Sequence, residues 1–136
     1  MNTLARLALP AFVVVLLCGA AAEVRACSCL REASVCDAFG SSSAVFAGRV
    51  VGSAETRPAT DRESGKKITF AVGTIYFAVE EAFSGVKGKR RVTVHSGTGG
   101  ADCGYWFVPG KRYLVYADAA EDGKLYTNIC TRTRFV

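Results

Sequence analysis

Apolar and polar residues alternate along most of the chain after Cys27, which predicts a β-rich domain. Five segments combine this alternation with β-branched and aromatic residues and are predicted strands: 44–52, 68–83, 89–95, 112–117 and 124–130. The stretch 53–67 is polar, contains Pro58 and Gly65, and is predicted to be a loop. A short helix is predicted over 33–39.

Two glycines refine this pattern. Asp122-Gly123 between the last two apolar runs predicts a hairpin. Gly73 interrupts the alternation of the second strand and predicts a bulge or a sharp bend. After Gly73, four residues are expected on one strand face: Phe77, Val79, Glu81 and Phe83. Five strands with one or two short helices predict an all-β fold, a small closed or partly open barrel.

The N-terminal segment predicts export. Leu7–Ala22 carries no charge, follows Arg6 and is interrupted by Pro10. It is short for a membrane span, which needs about 20 apolar residues. Residues 1–26 are therefore predicted to be a signal peptide and 27–136 a single secreted or periplasmic domain. An N-terminal membrane anchor is the alternative.

The cleavage site has two candidates. Small residues precede a cut after Ala26, which would make Cys27 the first mature residue. They also precede a cut after Ala22, which would leave Glu23 at the N-terminus. A third possibility is a lipid on Cys27, although Arg25 disfavours lipoprotein processing.

The charge balance is modestly basic. The formal net charge is +5 and half of the residues are hydrophobic, which is typical of a globular domain and not of a disordered chain. Four basic residues cluster at the start of a predicted strand: Lys87, Lys89, Arg90 and Arg91. We interpret them as a solvated strand edge, with binding of acidic cell-surface polymers as the alternative. Export argues against a nucleic-acid partner.

Catalytic patterns are weak in this sequence. His95 is the single histidine and lies on a predicted strand. Glu80 and Glu81 are adjacent on a strand and are expected to point to opposite faces. The glycine-rich segment 97–100 has no lysine of a phosphate loop and is interpreted as a flexible connector. The sequence therefore predicts no enzyme and no cofactor.

Cysteine is the informative residue. The chain has six, and Cys18 would leave with the signal peptide. Five remain in an oxidising compartment: Cys27, Cys29, Cys36, Cys103 and Cys130. Cys27 and Cys29 are too close in sequence to bridge each other without strain. Five choices of the unpaired cysteine and three pairings of the rest leave fifteen arrangements, and counting does not choose among them.

A resemblance to a known family gives more information than the cysteine count. The chain resembles the N-terminal domain of tissue inhibitors of metalloproteinases, within the wider netrin-like group, over nearly all of 27–136. The resembling features, in order, are Cys27-Ser28-Cys29 after a signal, 45–50 (VFAGRV), 80–85 (EEAFSG), Cys103-Gly104-Tyr105, 110–117 (GKRYLVYA), 122–125 (DGKL) and Cys130.

The resemblance implies a five-stranded OB-type barrel and a disulfide pairing. The implied bridges are Cys27–Cys103 and Cys29–Cys130, which would fasten the mature N-terminus to the barrel. The family's partner for the third cysteine lies beyond the position of Cys130. Cys36 is therefore expected to be a free thiol or to link two chains, so the protein is expected to be a monomer or a Cys36-linked dimer.

The resemblance also implies a mechanism. The α-amine and carbonyl of Cys27 would chelate the catalytic zinc of a target protease in trans, at the position that normally holds water. Ser28 would enter the pocket that takes the substrate side chain after the scissile bond. Four more residues would form a contact ridge: Cys29, Leu30, Ala101 and Asp102. No metal of the protein's own is expected.

Some features depart from the family. Arg31 stands where the family has proline, and the interval from Cys29 to Cys36 is shorter. A cut after Ala22 would bury the chelating amine under four extra residues. The alternative hypothesis is therefore a secreted OB-type module that binds a protein or a glycan without inhibiting a protease. A third hypothesis is an enzyme or a metal carrier.

Overall fold

The structure, a computed structural model, describes residues 27–29, 33–60, 64–98 and 102–136. It contains there a helix, α1 (Val35–Ser41), and six strands: β1 (Ala44–Thr60), β2 (Lys67–Ser84), β3 (Arg91–His95), β4 (Arg112–Ala119), β5 (Leu125–Tyr126) and β6 (Arg134–Phe135). The predicted signal peptide 1–26 lies outside the described residues. In the described part of the chain, no helix has the length and apolar character needed to cross a bilayer.

Five of the strands close into a barrel. The sheet order is β1-β2-β3-β5-β4-β6, and an additional antiparallel pairing of β1 with β4 closes the ring. The pairing of β3 with β5 is parallel, and the other strand pairs are antiparallel. The β6 strand continues the sheet from β4. The prediction of a five-stranded, OB-like all-β barrel is confirmed.

Aromatic side chains fill the barrel interior. Phe46, Phe77 and Phe107 are fully buried, and the Phe77 ring meets the other two edge to face at centroid distances of 5.5 and 5.2 Å. Each such pair contributes about 0.5–1.5 kcal/mol beyond its buried area. Val94 and Val115 complete this core from β3 and β4. The alternation visible in the sequence is therefore the alternation between core and solvent.

The predicted loop 53–67 is largely wrong. β1 continues to Thr60 and β2 begins at Lys67, and these two residues are partners in an antiparallel hairpin. Most residues of β1 beyond Ser53 are exposed, so this part of the strand has no apolar alternation by which sequence reasoning could detect it. Pro58 is tolerated because β1 pairs with β4 only over 44–49, which leaves the other edge of the hairpin unpaired.

Glycine at position 73 bends β2, as predicted. Gly73 has φ +71°, a conformation that favours glycine, and the pairing with β1 shifts register between Ser53 and Glu55, directly opposite. The bend separates the exposed hairpin from the part of β2 that closes the barrel. The glycine is needed for its backbone conformation.

A second irregularity lies at Glu80. Val79 and Glu81 pair with consecutive residues of β1, so Glu80 is an extra residue in β2. Val79 and Ala82 therefore both pack against the core, while Glu81 and Phe83 are exposed. Of the four residues predicted to share one strand face, Phe77 and Val79 face the core, whereas Glu81 and Phe83 are exposed.

The bulge also corrects the expectation that Glu80 and Glu81 point to opposite faces. Both carboxylates reach Arg112 of β4, at 2.7 Å from Glu80 Oε2 to Nε and 3.9 Å from Glu81 Oε1 to Nη2. Arg49 of β1 contacts Glu80 Oε1 at 3.2 Å. The extra residue turns both side chains to the same side, where they form part of an ion-pair network across three strands.

The C-terminal part differs from the predicted strand 124–130. Only Leu125–Tyr126 pairs as β5, after the Asp122-Gly123 hairpin that was correctly predicted. At Thr127 the amide still donates to the His95 carbonyl at 2.9 Å, and the buried hydroxyl donates to the Tyr116 carbonyl at 2.9 Å, after which the chain turns. Thr133 Oγ1 accepts from the amide of the same residue, Tyr116, at 3.0 Å.

The helix is close to its predicted position. α1 covers Val35–Ser41 instead of 33–39, because Ser34 caps its N-terminus. The Ser34 hydroxyl oxygen accepts from the Asp37 amide at 3.1 Å. The helix packs through Ala38 against Val45 and Tyr116 on the outside of the barrel.

Candidate functional site

Two disulfides fasten the segment Cys27-Ser28-Cys29 to the barrel. Cys27 is bonded to Cys103 with a Cα–Cα distance of 5.4 Å, and Cys29 to Cys130 with 5.5 Å. These are the pairs that the family resemblance implies. The sequence separations are 76 and 101 residues, and the chain-entropy model gives about 4–5 kcal/mol of stabilisation for loops of this size.

The two attachment points are also joined to each other. The Ile129 amide, next to Cys130, donates to the Cys103 carbonyl at 3.1 Å. Cys130 in turn donates its amide to Asn128 Oδ1 at 2.8 Å, which holds the turn that carries it. Cys103 and Cys130, the two residues to which the N-terminal segment is bonded, therefore belong to one hydrogen-bonded unit of the barrel. The segment Cys27-Ser28-Cys29 connects them.

Cys103 has a backbone conformation that is unusual for its residue type. Its φ is +52°, in the left-handed region that favours glycine. Such a conformation costs on the order of 1 kcal/mol or more and persists only where neighbouring contacts hold it. The disulfide to Cys27 and the hydrogen bond from Ile129 supply those contacts.

A closed loop carries Asp102 and Cys103. The Asp102 carboxylate accepts from the Thr98 amide at 2.8 Å and from the Gly104 amide at 3.3 Å. At the base of the loop, Ser96 Oγ accepts from the Tyr105 amide at 2.7 Å and donates to the Tyr105 carbonyl at 3.0 Å. These contacts tie 96–98 to 102–105 and restrict the segment that faces Cys27.

Two glycines permit this closure. A Cβ on Gly97 would lie 2.5 Å from the Asp102 carboxylate, and a Cβ on Gly104 would collide with the backbone of Gly97. The interpretation of 97–100 as a flexible connector is therefore wrong for Gly97, which is packed in the loop. Sequence reasoning did not identify Ser96 or Thr98, because their role depends on a partner across the loop and not on any periodicity.

Tyr105, at the base of this loop, packs against two other aromatic rings. The Tyr105 ring lies 4.7 Å from Phe107 and 5.9 Å from Tyr113, measured between centroids. Burial raises the pKa of Tyr105 above its ordinary value, and the neighbouring Tyr113 adds to the rise. Burial also raises the pKa of Tyr113, whose hydroxyl accepts from the Val108 amide at 2.9 Å. Both phenols therefore stay neutral in physiological buffers.

The predicted site residues are only partly covered by the structure. Ser28 and Cys29 are exposed between the two disulfides, Cys27 is half-buried, and Asp102 is exposed on the neighbouring loop. Leu30 and Ala101 lie outside the described residues. The structure thus places Ser28 beside the loop of Asp102, through the bond from Cys27 to Cys103.

Other candidate groups lie elsewhere. Cys36 has a free, exposed thiol on α1. His95 is on the outer side of β3, where its Nδ1 lies 3.2 Å from Thr74 Oγ1. Within the ranges that the structure describes, no three His, Cys, Asp or Glu side chains are grouped as metal ligands. We call the segment Cys27-Ser28-Cys29, held by its two disulfides, the N-terminal edge; the Ser28 side chain is exposed on it.

Comparison with known proteins agrees with this architecture. The family model described as tissue inhibitor of metalloproteinase matches residues 25–135. The matched range contains both disulfides, α1 and all six strands. No curated protein matches the sequence. Because the family match covers most of the chain, this protein belongs to the tissue inhibitor of metalloproteinase family.

Proposed function

We propose that this protein is a secreted metalloproteinase inhibitor that acts through a mature N-terminus at Cys27. Family membership supports metalloproteinases as the class of partner, and inhibition as the role in place of catalysis. The observation that carries the proposal is the attachment of Cys27-Ser28-Cys29, in which Ser28 and Cys29 are exposed, to one unit of the barrel by two disulfides.

The proposed chemistry uses the first residue of the mature chain. A catalytic zinc keeps one coordination position open for water. The neutral α-amine and the carbonyl oxygen of Cys27 bind that zinc and displace the water. A free α-amine has a pKa of about 7.7–8 and is partly neutral at physiological pH. The site requires cleavage after Ala26, because any preceding residue converts the amine into an amide.

The neighbouring residues give the contact its shape. Ser28, which is exposed between the bridges, enters the pocket of the protease that accepts the substrate side chain after the scissile bond. Leu30, Ala101 and Asp102 contact the protease on either side, together with Cys29. Because the disulfides hold the segment before binding, little conformational entropy is lost in the complex.

The first test is the intact mass of the exported protein. We expect a chain that starts at Cys27 and carries two disulfides, with Cys36 reduced or in an intermolecular bond. A chain that starts at Glu23, or one with a lipid on Cys27, contradicts the mechanism.

The second test is inhibition of a panel of zinc proteases. The native start should inhibit at least one of them, and one alanine added before Cys27 should abolish that inhibition. The matched control adds the alanine after Val136, and this variant should inhibit like the native protein. If the protein that starts at Cys27 inhibits none of these proteases, the hypothesis of a binding module is favoured over that of an inhibitor.

A further inference from the structure

A second residue with an unusual backbone conformation lies shortly after Cys130. Of the non-glycine residues that the structure describes, two have a positive φ, Cys103 and Arg132, and the φ of Arg132 is +64°. Glycine adopts this region without strain, whereas any residue with a Cβ is strained there. For Cys103 the disulfide to Cys27 accounts for the conformation. Arg132 forms no disulfide, so its conformation calls for a different explanation.

The residues on both sides of Arg132 are fixed to the barrel. Thr131 Oγ1 donates to the Asn128 carbonyl at 3.0 Å, which closes the turn before Arg132. Thr133 is buried, and its Oγ1 accepts from the Tyr116 amide at 3.0 Å. These contacts hold the strained backbone at position 132 in place.

The Arg132 side chain reaches the beginning of the domain. Its Nη1 donates to the Ala33 carbonyl at 2.5 Å, between residues that are 99 positions apart in sequence. The contact is partly buried, and the charge of the guanidinium strengthens it. Ala33 also packs against the cluster of Ala38, Val45 and Tyr116 on the outside of the barrel. Ala33 is therefore held by one polar and one apolar contact.

This contact gives the stretch that leads from the N-terminal edge to α1 a second anchor. Cys29, at one end of the stretch, is bonded to Cys130. Ala33, at the other end, is bound by Arg132, which follows Cys130 by two residues. Both ends are thus attached to the same short segment of the barrel. Without the Arg132 contact, only the Cys29 end keeps its attachment to this segment.

We propose that Arg132 is a positioning residue of the inhibitor: its bond to Ala33 fixes the direction in which the chain leaves the N-terminal edge. The inference rests on the proposed function, because the protease is the partner to which this direction matters. A glycine at position 132 would remove the backbone strain but could not reach Ala33. The strain at Arg132 therefore accompanies a contact that a long cationic side chain makes, and this contact orders the chain before binding.

Two variants of the mature protein separate positioning from stability. Arg132→Gly and Arg132→Ala both lose the contact with Ala33, so each should raise the inhibition constant for a sensitive zinc protease about tenfold. Arg132→Ala keeps the backbone strain that Arg132→Gly relieves, so its melting temperature should be about 4 °C lower than that of Arg132→Gly. An equal loss of inhibition in variants of unequal stability is the signature of a positioning residue.

A conservative variant and a charge control complete the set. Arg132→Lys keeps a cation on a long side chain and should hold the inhibition constant within about threefold of the native value. Arg134→Ala removes the same charge two residues away, at an exposed position of β6. This control should inhibit like the native protein.

Trypsin cleavage after Arg31 gives a readout that needs no metalloproteinase. Arg31 lies between Cys29 and Ala33 in the sequence, so release of Ala33 should make the bond after it easier to open to a protease. Arg132→Gly should raise the rate of this cut about tenfold, and Arg134→Ala should leave it unchanged. Subsequent reduction releases the peptide 27–31, whose mass identifies the cut.

The outcomes distinguish this proposal from the proposed function. If the native protein inhibits no zinc protease but Arg132→Gly is still cut faster after Arg31, the proposed function fails and the positioning by Arg132 stands. Inhibition constants that follow the melting temperatures would show a merely structural role and overturn the proposal. Native-like inhibition by both variants, or equal cleavage of the native protein and Arg132→Gly, would overturn it as well.

Discussion

The N-terminal edge and the β1–β2 hairpin are both exposed, yet they are held in different ways. The edge has few buried atoms but is fixed by two disulfides and by the hydrogen bond that joins their anchors. Beyond Ser53 the hairpin is held mainly by the pairing of β1 with β2. The comparison shows that an exposed segment can be rigid without a core of its own, provided that covalent bonds supply the constraint.

The largest effect is expected from removing a disulfide. Cys29→Ser with Cys130→Ser should lower the free energy of unfolding by about 4 kcal/mol or somewhat less, because the unfolded chain regains the entropy of a large loop. Urea unfolding measures this loss. Protease inhibition should fall as well, since the edge is no longer held at both ends. Cys36→Ser is the matched control and should leave stability and inhibition unchanged; a similar loss in both would contradict the role of the disulfide.

The next effect concerns the packed glycine of the loop. Gly104→Ala should cost about 1–3 kcal/mol, because its Cβ would collide with the backbone of Gly97. Gly40→Ala in α1 has no atom within 4 Å of the new Cβ and should be neutral or slightly stabilising. Thermal unfolding separates the two variants. Equal melting temperatures would show that the loop can relax around the added methyl group.

The pH dependence of inhibition tests the amine directly. In the proposed mechanism, protonation below a pKa of about 7.7 removes the lone pair of the amine that would bind zinc, so the affinity should fall about tenfold for each pH unit below that value. Above it, the affinity should level off. A small zinc-binding inhibitor without an amine, measured on the same protease, corrects for titration of the protease itself. An inhibition constant that follows that reference at every pH would exclude the amine as ligand.

The smallest effect is expected in the hairpin. Arg57→Ala or Thr69→Ala should change the free energy of unfolding by no more than about 0.5 kcal/mol, because both side chains are exposed. Chemical denaturation with the native protein as reference measures this difference. A loss above about 1 kcal/mol would mean that the hairpin stabilises the barrel in spite of its exposure.

The strands that line the core were predictable from local pattern. Val92 and Val94 alternate with the polar residues Arg91, Thr93 and His95 in β3, and the structure buries both valines. The exposed half of β1 could not be found in this way, because neither of its faces is buried. The bulge at Glu80 was also hidden, since it adds a residue without any glycine or proline to mark it.

By itself, the sequence determined an all-β barrel, a hairpin at Asp122-Gly123 and a bend at Gly73, because these depend on periodicity and on local backbone preference. Family resemblance added the order of the cysteine pairs. Only the tertiary structure decided that Ser96 holds Tyr105, that Glu80 and Glu81 meet one arginine, and that basic residues of β3 and the β4–β5 hairpin share a groove. The first arrangement depends on closure of a loop. The other two join residues that are distant in sequence, and closure of the barrel sets their distances.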